Sequence, residues 1–148
     1  MNTAYEIEIL LVEDNQDDLD LTLRSLRKAN LANRIQVVRD GAEALEFIFC
    51  QGTHAGRKIE SRPKVILLDL KLPKVDGMEV LKRVKNDPRT KMIPVVMLTS
   101  SKEQRDVIES YHLGANSYIV KPVNFEGFAA AVQELGMYWL LLNQPPKL

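Results

Sequence analysis

The 148 residues predict a single α/β domain built on a five-stranded parallel sheet, doubly wound with helices on both faces. Three observations carry that reading. Apolar runs of strand length alternate five times with stretches of helical periodicity. Four of those runs end in polar residues with chemical capacity, Glu13-Asp14, Asp69, Thr99 and Lys121. The length suits one domain with one core, since domains commonly hold about 100 to 150 residues. The domain is expected to span 1–148, with 143–148 as a short C-terminal tail.

The first strand is expected over 6–12 and leads into Glu13-Asp14, where Asp14 or Asn15 could cap the next helix. That helix, 17–29, sets Leu19, Leu23 and Leu26 on one face. A second strand over 34–38 precedes a helix over 41–49 that groups Ala44, Leu45 and Ile48, and Cys50 extends the apolar pattern as an inert buried thiol. The polar connection 51–63 is longer than the roughly two to six residues usual in such units. The third strand, 64–69, runs through Val65-Ile66-Leu67-Leu68 and closes on Asp69, where Leu70-Lys71-Leu72-Pro73 begins a loop.

A helix over 77–86 carries Met78, Leu81 and Val84 and halts at Asp87-Pro88, because the residue before proline disfavours helical geometry. The fourth strand, 94–98, delivers Thr99, and the helix 102–112 ends at Gly114, a natural left-handed cap. The fifth strand, 117–120, delivers Lys121-Pro122. In the last helix, 125–142, Phe125, Phe128, Ala129, Val132, Leu135, Trp139 and Leu142 follow core spacing, while Ala130, Met137, Leu140 and Leu141 lie off it. Pro145-Pro146 forbids further helix.

Composition removes several classes of function. Lysine and arginine number 20, aspartate and glutamate number 20, so no general attraction to nucleic acid or anionic lipid follows. One cysteine cannot form an internal disulfide, the N-terminus lacks a signal-peptide pattern, and no apolar stretch approaches the roughly 18 residues of a membrane span. A cytoplasmic protein is expected, and no DNA-reading helix-turn-helix pattern follows the α/β pattern. His54 and His112 share no metal-ligand spacing.

In an open parallel sheet, ligands bind beyond the carboxyl ends of the strands. Glu13, Asp14, Asp69, Thr99 and Lys121 therefore belong to one rim. Three carboxylates packed together need a cation or shared protons. Hard oxygen ligands favour Mg²⁺, held by Asp14 and Asp69 with a backbone carbonyl just after Asp69. An aspartate can attack phosphorus directly to give an acyl phosphate, with Lys121 balancing charge and Thr99 donating to a phosphoryl oxygen. Taken alone each residue has a plainer use: Asp69 in a turn, Thr99 as a strand residue or helix cap, Lys121 as a solvated lysine, Tyr118 as a half-buried aromatic. The joint pattern favours chemistry.

From residue 7 to residue 132 the chain resembles the receiver domain of two-component response regulators. The resemblance rests on Leu10-Leu11-Val12-Glu13-Asp14-Asn15, on Leu67-Leu68-Asp69-Leu70-Lys71-Leu72-Pro73 leading to Asp76-Gly77, on Leu98-Thr99-Ser100, and on Gly114-Ala115-Asn116-Ser117-Tyr118-Ile119-Val120-Lys121-Pro122. It implies a flavodoxin-like (βα)5 fold with strand order 2-1-3-4-5. It also implies Asp69 as phosphoacceptor, Asp14 as a direct Mg²⁺ ligand, Glu13 acting mainly through metal-bound water, and Lys71 as the carbonyl ligand. Thr99 and Lys121 would hold the phosphoryl group, Thr99 and Tyr118 would form the switch, and the Lys121-Pro122 bond would be cis.

Ser100 stands where alanine or glycine is common in that family. The long 51–63 connection and the extension from Trp139 to Pro146 look like single-domain regulators paired with phytochrome kinases. A histidine kinase such as a phytochrome is thus the expected partner. The extra apolar residues of the last helix suggest a homodimer through the Tyr111/Val120 region with Met137, Tyr138 and Leu141. The rival reading is a Mg²⁺-dependent aspartyl phosphatase or phosphotransferase. Such enzymes usually want a carboxylate two residues after the nucleophile, where this chain has Lys71. A nucleotide or flavin binder is disfavoured because no glycine-rich phosphate loop follows the first strand.

Overall fold

The structure is a computed structural model that describes residues 7–28, 34–121 and 124–144, with the side chains of 125 and 140–142 left aside. Five parallel strands, β1 (Ile9–Val12), β2 (Ile35–Val38), β3 (Val65–Leu68), β4 (Val95–Thr99) and β5 (Ser117–Val120), form one sheet in the order β2-β1-β3-β4-β5. Helices α1 (Gln16–Lys28), α2 (Gly41–Ile48), α3 (Gly77–Asn86), α4 (Gln104–His112) and α5 (Phe125–Gly136) connect and cover them. The expected fold is therefore the observed one.

Strand periodicity divides the core into two layers. Leu10, Val12, Ile66, Leu68, Val95 and Met97 point to one face, where Ala44, Leu45 and Ile48 of α2 and Val80, Leu81 and Val84 of α3 bury them. Ile9, Leu11, Val65, Leu67, Val96 and Leu98 point to the other face, against Leu19 and Leu26 of α1 and Phe128, Val132 and Leu135 of α5. With both faces covered, β1, β3 and β4 are buried at every position, which explains their unbroken apolar runs. The register aligns Leu68 with Val12 and Met97 with Leu68, so β1 and β3 end at one level and β4 runs two residues further, to Thr99.

The helix boundaries follow from caps. Asn15 Oδ1 accepts from Asp18 N at 2.9 Å and so caps α1, which leaves the Asp14 carboxylate free of that task. Asp40 and Asp76 cap α2 and α3 in the same way. At the end of α4, Gly114 has φ +108° and Ala115 N reaches Ser110 O, as its sequence position predicts.

Two expectations change, and the long connection gains detail. Cys50 is not within α2 and is only half-buried. It holds the left-handed position after the helix (φ 55°), where Cys50 N bonds Phe47 O and Gln51 N bonds Glu46 O, a Schellman ending without the usual glycine. Within the 51–63 connection, whose length the sequence shows, Gly52–His54 forms a 3-10 turn, and the Arg57 guanidinium lies 3.6 Å over the Phe47 ring and donates to the carbonyls of Phe47 and Ser61. Finally, regular α5 stops at Gly136, and Met137–Leu142 continues as a π-helical turn with Asn143 N bonded to Tyr138 O. Residues 145 and 146 lie outside the described residues, as does the Lys121-Pro122 bond.

Candidate functional site

The expected acids, hydroxyl and ammonium lie at the carboxyl edge of the sheet, and two of the central strands, β1 and β3, deliver the acids. Glu13 follows β1 and is 2% exposed, its backbone N bonded to Val38 O at the end of β2. Asp69 follows β3, with Asp69 N bonded to Val12 O. Thr99 ends β4 and is buried, and its carbonyl accepts from Lys121 N at 2.7 Å. That bond sets the start of the Lys121 side chain, which turns back across the strand ends toward the acids.

The Lys121 ammonium donates to Glu13 Oε1 at 2.6 Å, Asp18 Oδ2 at 2.8 Å and Asp69 Oδ2 at 3.0 Å. The other oxygen of Asp69, Oδ1, accepts from Leu70 N at 2.7 Å, so both carboxylate oxygens have fixed directions. Glu13 Oε2 accepts from Asn15 N. Burial pushes the Glu13 carboxyl up to about 7, against the hydrogen bond and charge of Lys121 that pull it down. Burial likewise pulls the Lys121 ammonium down, but the hydrogen bonds to Asp18 and Glu13 and the charge of Asp69 together raise it, so it stays protonated.

Asp14 is exposed at the rim, and its carbonyl accepts from Arg39 Nη2. Oxygens of Glu13, Asp14 and Asp69 all lie within 4.8 Å of one another. Two ligands on one Mg²⁺ at about 2.1 Å can be no more than about 4.2 Å apart, so this spacing admits direct ligation by two carboxylates with a third reached through water. Lys121 meets three carboxylates, Glu13, Asp18 and Asp69, and Asp14 adds a fourth at the exposed rim, so negative groups outnumber the ammonium and favour a cation. The donor set fits a hard divalent ion. Beside it an open groove of about 510 Å³ is lined by Asp14, Lys71, Asp76, Met78 and Arg105 among others, and gives access from solvent.

Tyr118 is half-buried, and its hydroxyl donates to Ser101 O at 2.9 Å. Ser101 N in turn reaches Thr99 Oγ1 at 3.4 Å, so one residue links the two hydroxyls expected to form the switch. Asp18 is the site residue that sequence reasoning missed. In the chain it reads as one more acid in the first turn of a helix, and only the crossing of Lys121 from β5 reveals its use.

Residues 9–133 match the response regulator receiver domain family. The chain belongs to that family. Among relatives, this receiver is 42% identical over 132 residues to the response regulator Rcp1 of Synechocystis sp., covering 89% of this chain and 88% of Rcp1. The Mn²⁺-bound structure of Rcp1 superposes with a TM-score of 0.88 at 40% identity, covering 95% of this chain and 99% of that one. The phosphorylated cyanobacterial phytochrome response regulator RcpA gives 0.88 at 39% identity, covering 96% and 99%. The bacteriophytochrome response regulator RtBRR gives 0.75 at 54% identity, covering 95% and 84%. This receiver is thus a two-component signalling domain with a divalent-cation pocket and phytochrome-associated relatives.

Proposed function

We propose that Asp69 is the phosphoacceptor of this receiver and that a histidine kinase supplies the phosphoryl group. The observation that carries the reading is the Asp69 carboxylate, buried at the sheet edge, fixed by Leu70 N on one oxygen and by Lys121 on the other. A carboxylate oxygen attacks phosphorus, the P–N bond to the kinase histidine breaks, and the imidazole leaves with a proton from solvent. Lys121 and the Thr99 hydroxyl hold phosphoryl oxygens. Asp14, Asp69 and the Lys71 carbonyl, with Glu13 through water, would hold Mg²⁺, which would supply charge neutralisation to the transferred group.

The added charge of about −1.5 to −2 then biases the Thr99/Tyr118 face. Output is by protein contact, and the whole of 1–148 acts as one receiver domain with 143–148 as a tail. A phytochrome kinase in the cytoplasm is the partner that the relatives support. The dimer surface is the Tyr111/Val120 region with Met137, Tyr138 and Leu141; Tyr111, Met137 and Tyr138 are about half exposed, while the side chain of Leu141 lies outside the described residues. The role is that of a phosphoacceptor, not of a turnover phosphatase, because position 71 carries an exposed lysine where the second carboxylate would stand.

The reading is tested with Mg²⁺ and a small acyl phosphate or beryllofluoride. Wild type forms a one-to-one adduct and Asp69→Asn forms none while keeping its circular dichroism spectrum. An adduct of unchanged yield on Asp69→Asn rejects the assignment.

A further inference from the structure

Lys121 has three N–H donors, and three different carboxylates take them. Two of the three have other duties under the proposed function, on which this inference rests. Asp69 Oδ2, once it carries phosphorus, becomes an ester-like oxygen and a poor acceptor. Glu13 lies within the oxygen set that faces the divalent cation. Asp18 alone has no second task in the chemistry.

We propose that Asp18 is the positioning residue for Lys121, the fixed seat that keeps the ammonium beside Asp69 when phosphorylation withdraws one of the other two partners and cation binding competes for the second. The geometry suits that task. Asp18 N is held by the Asn15 cap at 2.9 Å, and Asp18 O accepts from Thr22 Oγ1 at 2.8 Å, so its backbone is fixed on both sides. Its carboxylate is about one-third exposed, and it reaches a lysine 103 residues away in the chain. The N–H released by Asp69 then points to the phosphoryl oxygen nearest Oδ2, while the N–H on Asp18 keeps Nζ from swinging into solvent.

An acid in the first turn of a helix can also serve simply to complement the helix dipole. Asp17 performs that service from the same turn, is exposed, and is the matched control. Asp17→Asn and Asp18→Asn remove the same charge one residue apart. Only the second disturbs Lys121.

The experiment compares wild type, D17N, D18N, K121Q and D18N/K121Q. D18N is expected to weaken beryllofluoride binding roughly tenfold relative to D17N, the scale of a lost charge-assisted contact. Its Mn²⁺ affinity without beryllofluoride should stay within about twofold of D17N, because both variants carry the same charge. In the K121Q background D18N should have no further effect. A second readout needs no adduct: the Lys121 ammonium protons of the free protein, followed by NMR, should exchange at least about fivefold faster in D18N than in D17N once one of the three acceptors is weakened.

D18N equal to D17N in both adduct affinity and ammonium exchange overturns the role of Asp18 while leaving Asp69 as phosphoacceptor. Additive losses in D18N/K121Q also overturn it. Absence of an adduct in wild type removes the phosphoacceptor reading and this inference with it.

Discussion

Gly77→Ala is the substitution for which helix propensity and packing give opposite signs. Gly77 is the first residue of α3, and alanine there would ordinarily favour the helix by up to about 1 kcal/mol. A Cβ on Gly77, however, would lie 2.1 Å from Asp69 O and 2.7 Å from Leu70 Cα. Cβ atoms essentially never come closer than 3.0 Å to such a neighbour, so the backbone bearing Asp69 must retreat by at least about 0.9 Å, and no flexible side chain can absorb the shift. Overpacking of this kind costs about 1–3 kcal/mol, leaving a net loss of up to about 2 kcal/mol after a propensity gain of about 1 kcal/mol. For a chain of this size that lowers Tm by up to about 8 °C.

The same displacement moves the Asp69 carboxylate off the line set by Leu70 N and Lys121, and a misplacement near 1 Å costs on the order of 100-fold in rate. The assay is calorimetry paired with the initial rate of modification by acetyl phosphate in Mg²⁺. Gly56→Ala is the control, because a Cβ there meets nothing within 4 Å. A Gly77→Ala protein that melts at or above wild type and is modified within twofold of its rate would refute the argument.

Removal of the Arg57 clamp, Arg57→Ala, should cost about 1–3 kcal/mol through the lost stacking on Phe47 and two unfilled carbonyls. It should raise amide exchange across 51–63 while leaving modification of Asp69 unchanged, and slowed modification would show that the segment reaches the site. Tyr118→Phe removes the bond to Ser101 O and should lower stability by about 1 kcal/mol by urea denaturation. Adduct formation should persist and its effect on self-association, followed by sedimentation, should shrink; full coupling would count against Tyr118 as a switch.

The raised Glu13 pKa means that the folded, cation-free protein keeps a proton that the unfolded chain releases near 4.5. That contribution is full below 4.5, falls as pH rises through about 7, and is absent above it. Wild type should therefore lose more Tm between pH 5 and 8 than Glu13→Gln, with Mg²⁺ narrowing the gap. Parallel profiles for the two proteins would show that Glu13 titrates normally.

Much of the fold is legible in the chain because burial on both faces forces β1, β3 and β4 into continuous aliphatic runs, and each run gives way to a polar residue, Glu13, Asp69 or Thr99, at the edge of the sheet. The errors fall where local pattern is silent. Cys50 continues the apolar spacing of α2, yet the helix ends one residue earlier in a left-handed turn that cysteine does not advertise. Nothing in the 137–142 composition distinguishes a π-helical turn from more α-helix. Arg57 looks like a loop cation until Phe47 is seen beneath it.

The same division holds for the site. The sequence alone singled out Glu13, Asp14, Asp69, Thr99 and Lys121 as candidates, because a carboxylate, hydroxyl or ammonium at the end of a buried strand is costly to place and conspicuous in an apolar context. Only the tertiary structure decided who partners whom. Lys121 meets Asp18 and Glu13 more than 100 positions away, and that choice depends on the sheet order and on how α1 sits against the strand ends. Charge and burial are properties of single residues that a chain displays, whereas an ion pair is a distance, and distances exist only after folding.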